Sequence, residues 1–327
     1  MADVAQAAGV SHQTVSRVLN DSPLVRDDTR ARVQAAIATL GYRRNNAARQ
    51  LATNRSGRLG MVAAHLAYHG PSMVAVGVVD AAHAADYEVS LEGLTELTPD
   101  ALERAVDRLL GQSVEAVVVA VAHRAALERA RALRLPVPVV LAQGVTEGDR
   151  LAAGIDQHLG ARRATEHLLD LGHRRVALVS GPLDWIEAEQ RRDGWQRVHE
   201  ERGLLPGPAL PGDWSAASGY AAGRRLAVDR EVTAVFAAND AMALGVLKAL
   251  HEAGRRVPEE VSLVGFDDEP SAAFLWPALT TVAQEFSALG RTAVDLALRA
   301  LGGEGAATAP LVAPVLVVRD STAPPSR

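Results

Sequence analysis

The stretch ADVAQAAGVSHQTVSRVLN, residues 2–20, decides how the front of this 327-residue chain is read. Its apolar residues fall at Val4, Ala5 and Ala8, then Val10, then Val15, Val18 and Leu19. That spacing is the period of two short amphipathic helices, and Gly9 breaks them apart. Ser11 stands at the N-cap of the second helix, where its hydroxyl accepts from an amide of the first turn. His12, Gln13 and Arg17 then fall on the face opposite the apolar stripe. This is a helix-turn-helix pattern, in which the start of the second helix meets base edges in the major groove. There a Gln reads adenine and an Arg reads guanine through paired hydrogen bonds. A small helical cap with a polar outer face is the plainer alternative. A pattern that fills about twenty positions, rather than three or four, argues against it.

Working outward, Asp27–Leu40 reads as a third helix with Val33, Ile37 and Leu40 on one face and Gly41 as its stop. The next run is RRNNAARQLATNRSG, residues 43–57, in which Asn45 or Asn46 caps a short helix over 47–52 and a linker ends at Gly57. A helix of about six residues is marginal alone in water, where ~12 to 15 are needed, so it forms only against something else. Residues 1–57 carry eight Arg and four Asp, a net of +4 that leaves −9 on the rest of a chain of net charge −5. A basic head on an acidic body suits a protein whose head alone meets phosphates.

From Leu59 onward, short apolar runs alternate with longer Ala- and Leu-rich helical stretches. The strand candidates are 59–63, 87–91, 116–121, 138–142, 176–180, 234–238 and 262–266, with helices such as 99–111 and 159–172 between them. Near-continuous apolar strands separated by helices indicate parallel sheets covered on both faces. Seven or more strands over about 260 residues suggest two such lobes. With 48% hydrophobic residues the chain buries substantial cores. No apolar run approaches the ~18 residues of a membrane span, so a cytoplasmic protein with no membrane partner is expected. The absence of cysteine excludes disulfides, thiol nucleophiles and cysteine-ligated zinc.

Ligands of open parallel sheets bind outside the carboxyl ends of the strands. Gly181 and Pro182 follow one strand and lead into a helix carrying Arg191; Asn239 and Asp240 follow another; Asp267 and Asp268 follow a third. An arginine, an amide and a carboxylate thus converge, a donor and acceptor mixture that fixes sugar hydroxyls. Trp214 offers an aromatic platform for a pyranose ring. Each has a duller reading: Asn239 or Asp267 as an N-cap, Arg191 as a surface charge, Trp214 as core.

Catalytic readings are thinner. No GxGxxG follows the first strand and no Walker lysine motif is present, which leaves dinucleotide and triphosphate chemistry without a seat. His65 and His69 are four apart but lack a third ligand at metal spacing, so no metal is expected there. The run Asp267, Asp268, Glu269 reads as a strand-end loop rather than a magnesium site, with one carboxylate on ligand and the others capping a helix or facing water. No cofactor and no catalytic residue is expected.

These residues together resemble the lactose repressor family of bacterial transcription regulators over nearly the whole chain. The matching stretches are DVAQAAGVSHQTVSRVLN, NNAARQLA, HLAYHGPS, the Arg-x-x-Gly of Arg191 to Gly194, GDWSAASG, ANDAMALG, GFDDEPS and LTTVAQEF. The resemblance implies a small all-α helix-turn-helix head on a body of two doubly wound parallel-sheet lobes, like periplasmic sugar-binding proteins. It implies a head over 1–43, a hinge helix and linker over 44–57, and an effector-binding and dimerisation body over 58–320. Within the body one lobe would take about 58–155 and 286–320 and the other about 156–285, leaving 321–327 as a tail.

The implied function is a repressor that binds palindromic operator DNA as a homodimer and responds to a small sugar. Its implied DNA-contacting residues are Ser11, His12, Gln13, Thr14, Ser16, Arg17, Asn20, Asn45 and Ala48, with Leu51 wedged between base pairs in the minor groove. Its implied effector contacts are Tyr68, Pro71, Trp185, Arg191, Trp214, Asn239, Asp267, Gln284 and Phe286. The chain departs from the family pattern in places. The Thr that usually caps the first helix is missing, Arg44 stands where a hinge Pro is common, and Trp185 and Glu187 replace small polar pocket residues. The family's C-terminal leucine heptads are absent after Val318, so a dimer rather than a tetramer is expected. A cytoplasmic sugar-binding protein and a sugar-modifying enzyme are the competing classes.

Overall fold

The computed structural model describes residues 1–19, 22–42, 55–95, 98–146, 148–304 and 309–326. It divides into two compact units, 1–56 and 57–327. In the first unit, α1 (Ala2–Ala8), α2 (His12–Leu19) and α3 (Asp27–Leu40) enclose a small core. Val4, Val15 and Val33 are fully buried there, with Ala5, Ala8, Val18, Val25 and Ala36 around them. Gly9 ends α1 at φ 64°, a left-handed conformation that only glycine adopts without steric cost. Met1 gives α1 no side-chain cap, as the missing Thr implied. Leu40 departs from its expected place: it is 48% exposed. The buried stripe ends at Ile37, and Tyr42 beyond the Gly41 turn packs on the core instead. The expected hinge helix lies outside the described residues, and with it Asn45, Ala48 and Leu51; so does Asn20.

The second unit holds two parallel sheets. The first comprises β1 (Arg58–Ala64), β2 (Glu88–Leu94), β3 (Ala116–Ala120), β4 (Val139–Ala142) and β5 (Ala152–Ala153), in the order β2-β1-β3-β4-β5. Four helices belong to it: α4 (His69–Ala84), α5 (Pro99–Gly111), α6 (Arg124–Ala132) and, from far along the chain, α11 (Phe286–Leu301). Side chains alternate across the sheet. Leu59, Met61 and Val118 meet Val78 of α4 and Ala293 of α11, while Val62, Val117 and Val119 meet Leu102 of α5 and Leu127 of α6.

The second sheet runs β7-β6-β8-β9, from β6 (Ala177–Ser180), β7 (Ala209–Pro211), β8 (Ala234–Ala237) and β9 (Ser262–Val264). Its one face packs Leu178, Phe236 and Val264 against Leu168 of α7 (Gln157–Asp170) and Trp195 of α8 (Ile186–Glu201). The other packs Val179 and Val235 against Leu226 of α9 (Ala216–Ala227) and Val246 of α10 (Asp240–Glu252). Helices on both faces of parallel strands make each sheet doubly wound, the architecture expected from the apolar runs.

The chain crosses between sheets three times. It leaves the first sheet after β5 and enters α7, and it returns after β10 (Thr281–Ala283) through Gln284 into α11. Gly77 of α4 and Gly290 of α11 let those helices touch, since a Cβ on Gly290 would overlap the backbone of Gly77. The third passage brings β11 (Val315–Val317) antiparallel to β10. The residues read as a tail then lie along the second sheet: the Leu263 amide donates to the Ser321 carbonyl at 2.8 Å, and the Ser321 hydroxyl donates to the Leu263 carbonyl at 2.6 Å. Among the described residues, no helix is long and apolar enough to cross a membrane.

Candidate functional site

In the first unit the Thr14 amide donates to the Ser11 hydroxyl at 3.2 Å, which caps α2 as its sequence required. Val15 and Val18 turn inward, while Ser11, His12, Gln13 and Arg17 are exposed and Thr14 and Ser16 half-buried. The capped end of α2 therefore presents the His12 imidazole and the Gln13 amide to solvent, and its last turn presents the Arg17 guanidinium. This is the donor and acceptor set that reads base edges.

In the second unit, a cleft with about 390 Å³ of free space, counting its open mouth, lies at the carboxyl ends of both sheets. All nine residues expected to touch an effector line it: Tyr68 and Pro71 after β1, Trp185 and Arg191 after β6, Trp214 after β7, Asn239 after β8, Asp267 after β9, and Gln284 and Phe286 at the return crossing. Gln143, absent from the expected set, also lines the cleft. It directly follows β4, the same strand-end position that marks Asn239 and Asp267.

At the floor of the cleft Arg191 is 4% exposed, so its reading as a surface charge fails. Its Nε donates to Gln157 Oε1 at 2.8 Å, and a terminal nitrogen donates to the Ala238 carbonyl. Another terminal nitrogen lies 3.7 Å from Asp267 Oδ1. The guanidinium sits over the Phe266 ring, 3.9 Å from its centre, and 5.4 Å from that of Trp214. Gln157 in turn donates to Gln284 Oε1 at 2.8 Å, and Gln284 donates to Asp267 Oδ1 at 2.6 Å. Four side chains thus close a ring.

Asp267 is buried at φ 108°, a backbone region that favours glycine. Burial pushes its carboxyl up to about 6, with Arg191 and then His69 pulling it back. Its loop is held from behind by Asp240, which accepts from the Thr281 hydroxyl at 2.6 Å and the Glu269 amide at 2.8 Å. Burial raises Asp240 well above the ordinary carboxylate range. Asp268, expected to cap a helix or face water, pairs with Arg319 at 2.7 Å instead, because the returning C-terminal stretch brings that cation alongside. Burial also raises Glu187 on the cleft wall, against the pull of Arg191.

Asn239 is the N-cap that its dull reading made it, accepting from the Met242 amide at 2.9 Å. It also donates to the Trp214 carbonyl at 3.0 Å, fixing the turn that carries the indole. The indole lies against Gly181, where any Cβ would overlap the ring. Its buried N–H has no partner among the described residues. Trp185 stands edge-on to Trp214, ring centres 5.7 Å apart, and Tyr68 and His65 continue the aromatic wall. Backbone bonds join the walls at this point: Ile186 donates to Ala122 and Arg124 to Asp184.

Nothing brings His65 and His69 to a common ligand position. His65 stacks on Tyr68 and His69 packs edge-on against Phe286. Among the described residues no three His, Asp or Glu side chains gather as a metal group.

Residues 1–45 match the model for bacterial regulatory proteins of the lacI family, and residues 165–322 match a periplasmic binding protein-like domain. The lactose operon repressor of Escherichia coli (strain K12) is 35% identical over 99% of this chain and 91% of its own length. A crystal structure of the lac repressor dimer bound to operator and the anti-inducer ONPF superposes with a TM-score of 0.86 at 34% identity, covering 98% of both chains. A complex of the transcriptional regulator CelR with cellobiose gives 0.72 at 32% identity, again over 98% of both chains.

Proposed function

Because the chain belongs to the lacI family of bacterial regulatory proteins, we propose that it is a transcriptional repressor whose head reads operator DNA and whose cleft takes a sugar. It acts as a homodimer on a palindromic site in the cytoplasm, with Ser11, His12, Gln13, Thr14, Ser16 and Arg17 at the DNA and the hinge residues following into the minor groove. The observation that carries this reading is the ring of Arg191, Gln157, Gln284 and Asp267 at the base of an aromatic-walled cleft. Polar groups held in fixed directions beside stacked rings suit a polyhydroxylated pyranose.

The ring also supplies a mechanism. Gln157 and Gln284 stand at two of the crossings between the sheets, so a ligand bound at Arg191 and Asp267 acts where the lobes articulate. A sugar that binds one lobe arrangement more tightly than another shifts the population, and ~1 to 3 kcal/mol of coupling is typical. No catalytic step is part of this reading: Asp267 stands beside Arg191, and Asp240 holds the Asp267 loop from behind. The test is to select DNA bound by the full chain from a genomic pool, then titrate a sugar panel against the selected operator. Release by a bound sugar is expected. Demonstrated sugar binding that leaves operator affinity unchanged would overturn the reading.

A further inference from the structure

Two cleft groups keep capacity for a ligand: an indole N–H with no partner and a carboxyl with no ion pair among the described residues. The Trp214 indole is 6% exposed and its N–H has no partner among the described residues. The Glu187 carboxyl accepts from the Gly144 backbone and lines the same cleft, with no Arg, Lys or His of the described residues within 4.0 Å. Arg191, the cation at the floor of the cleft, is already engaged by Gln157, the Ala238 carbonyl and Asp267. An acid that Arg191 reaches only through space therefore shares the cleft with Tyr68, Trp185 and Trp214, rings whose faces attract cations.

A neutral sugar would answer the indole N–H through a hydroxyl oxygen, and a carboxylate through a hydroxyl hydrogen. It would leave two acids, Glu187 and Asp267, sharing one guanidinium in a buried site, an arrangement that burial penalises. An ammonium group on the ligand removes that imbalance. It pairs with the carboxylate through charge-assisted bonds roughly twice as strong as neutral ones.

We propose that the effector is an amino sugar, a pyranose whose hydroxyls engage Arg191, Asp267 and the Trp214 N–H and whose primary ammonium pairs with Glu187. This rests on the reading of the cleft as a sugar site. Glu187 is then the specificity-determining residue that separates aminated from neutral sugars, and Trp185 closes the site over the ring.

The test uses the full chain and calorimetry, with indole fluorescence as a second signal. The probes are 2-, 3- and 6-amino-deoxy forms of glucose, galactose and mannose, their N-acetyl derivatives and the neutral parents. At least one amine is expected to bind about tenfold tighter than its parent and its acetylated form. In Glu187→Gln that preference falls to about twofold or less. Neutral parents that match or exceed every amine would overturn the proposal, as would an undiminished preference in Glu187→Gln. Should that variant fail to fold, the contrast between amine and N-acetyl form on the unaltered chain still decides. Absence of binding by every saccharide is a different failure, since it removes the sugar reading along with the amine.

Discussion

Gln157 donates its side-chain amide to Gln284 across 2.8 Å, although 127 residues separate them in the chain. One stands at the start of α7, where the chain has just entered the second sheet, and the other just before α11, where it returns to the first. The bond therefore ties two of the crossings together. Arg191 and Asp267 complete the loop from within the second lobe, so the groups that would grip a ligand are bonded to residues at the crossings.

Opening this ring at Gln157 should be costly in a specific way. Gln157→Leu removes the acceptor of Arg191 Nε and the donor to Gln284 together, leaving a buried N–H unpaired. A loss of ~1 to 3 kcal/mol in body stability is expected, the usual cost of one orphaned buried group. Sugar affinity should fall as well, because Arg191 is no longer aimed. Thermal melts and calorimetry on the same preparation check this, and an unchanged melt with unchanged affinity would show that the ring is incidental.

Gly181 offers a cleaner separation of binding from folding. Gly181→Ala places a methyl group on the Trp214 six-membered ring and must displace it, since the backbone beneath directly follows β6. Overpacking of this kind costs ~1 to 3 kcal/mol. The expected result is a chain that still binds operator but no longer releases it with sugar, read by fluorescence polarisation of labelled operator. Normal release would mean that the indole position does not matter to the ligand.

The legible part of the protein was the part written in local patterns. The turn at Gly9, the cap at Ser11 and the strands with four or more consecutive apolar residues follow from period and propensity alone. β5, β7, β10 and β11 are only two or three residues long and leave no such signature. Their pairing depends on neighbours brought from far along the chain. The same holds in the cleft. Arg191, Asn239 and Asp267 stand out because they follow strands, whereas Gln157 lies just ahead of the helix expected at 159–172 and carries no signal until Gln284 is brought beside it. Asp268 likewise looked free because Arg319 lies 51 residues away.

Acid should weaken ligand binding through Asp267. Its carboxyl is raised to about 6 in the folded chain against an ordinary 3.8, so the folded state holds that proton more tightly than the unfolded one does. Its contribution to folding is accordingly full below 3.8 and lost as pH rises through 6. Ligand binding has the opposite sign, because Gln284 and Arg191 hold the charged form in place. Between about pH 7.5 and about pH 5 sugar affinity should fall roughly tenfold. Arg191 and then His69 favour the charged form of Asp267, while Glu269 opposes it. Asp267→Asn should bind weakly with a flat profile; a profile as steep as that of the unaltered chain would assign the titration to another group.

On the head, the capped helix predicts two distinguishable kinds of damage. Gln13→Ala or Arg17→Ala removes an exposed side chain and should cost ~1 to 3 kcal/mol of operator affinity, with relaxed preference at one base pair and an unchanged melt. Ser11→Ala instead removes the bond to the Thr14 amide and should cost ~0.5 to 2 kcal/mol of head stability. Operator arrays measured at fixed salt separate the two. If Gln13→Ala and Arg17→Ala weakened every sequence equally, α2 would be holding phosphates rather than reading bases.

The homodimer reading places its weight on Phe274 and Trp276, which stand 88% and 95% exposed in one short segment. Such large rings left in water are the exception on a monomer surface. The segment starts from the loop that carries Asp267 and Asp268, and Ala272 beside it is fully buried in the second lobe's core. The rings are thus presented on firm ground rather than on a loose loop. Burying a Trp or Phe contributes ~1.5 to 3 kcal/mol per side chain, and a two-fold interface counts each residue twice. Trp276→Asp with Phe274→Asp should therefore turn a dimer into a monomer in analytical ultracentrifugation at micromolar concentration. Operator affinity should fall with it, since one head meets one half-site, while sugar binding to the isolated chain persists. A double variant that remains dimeric would move the interface elsewhere on the body.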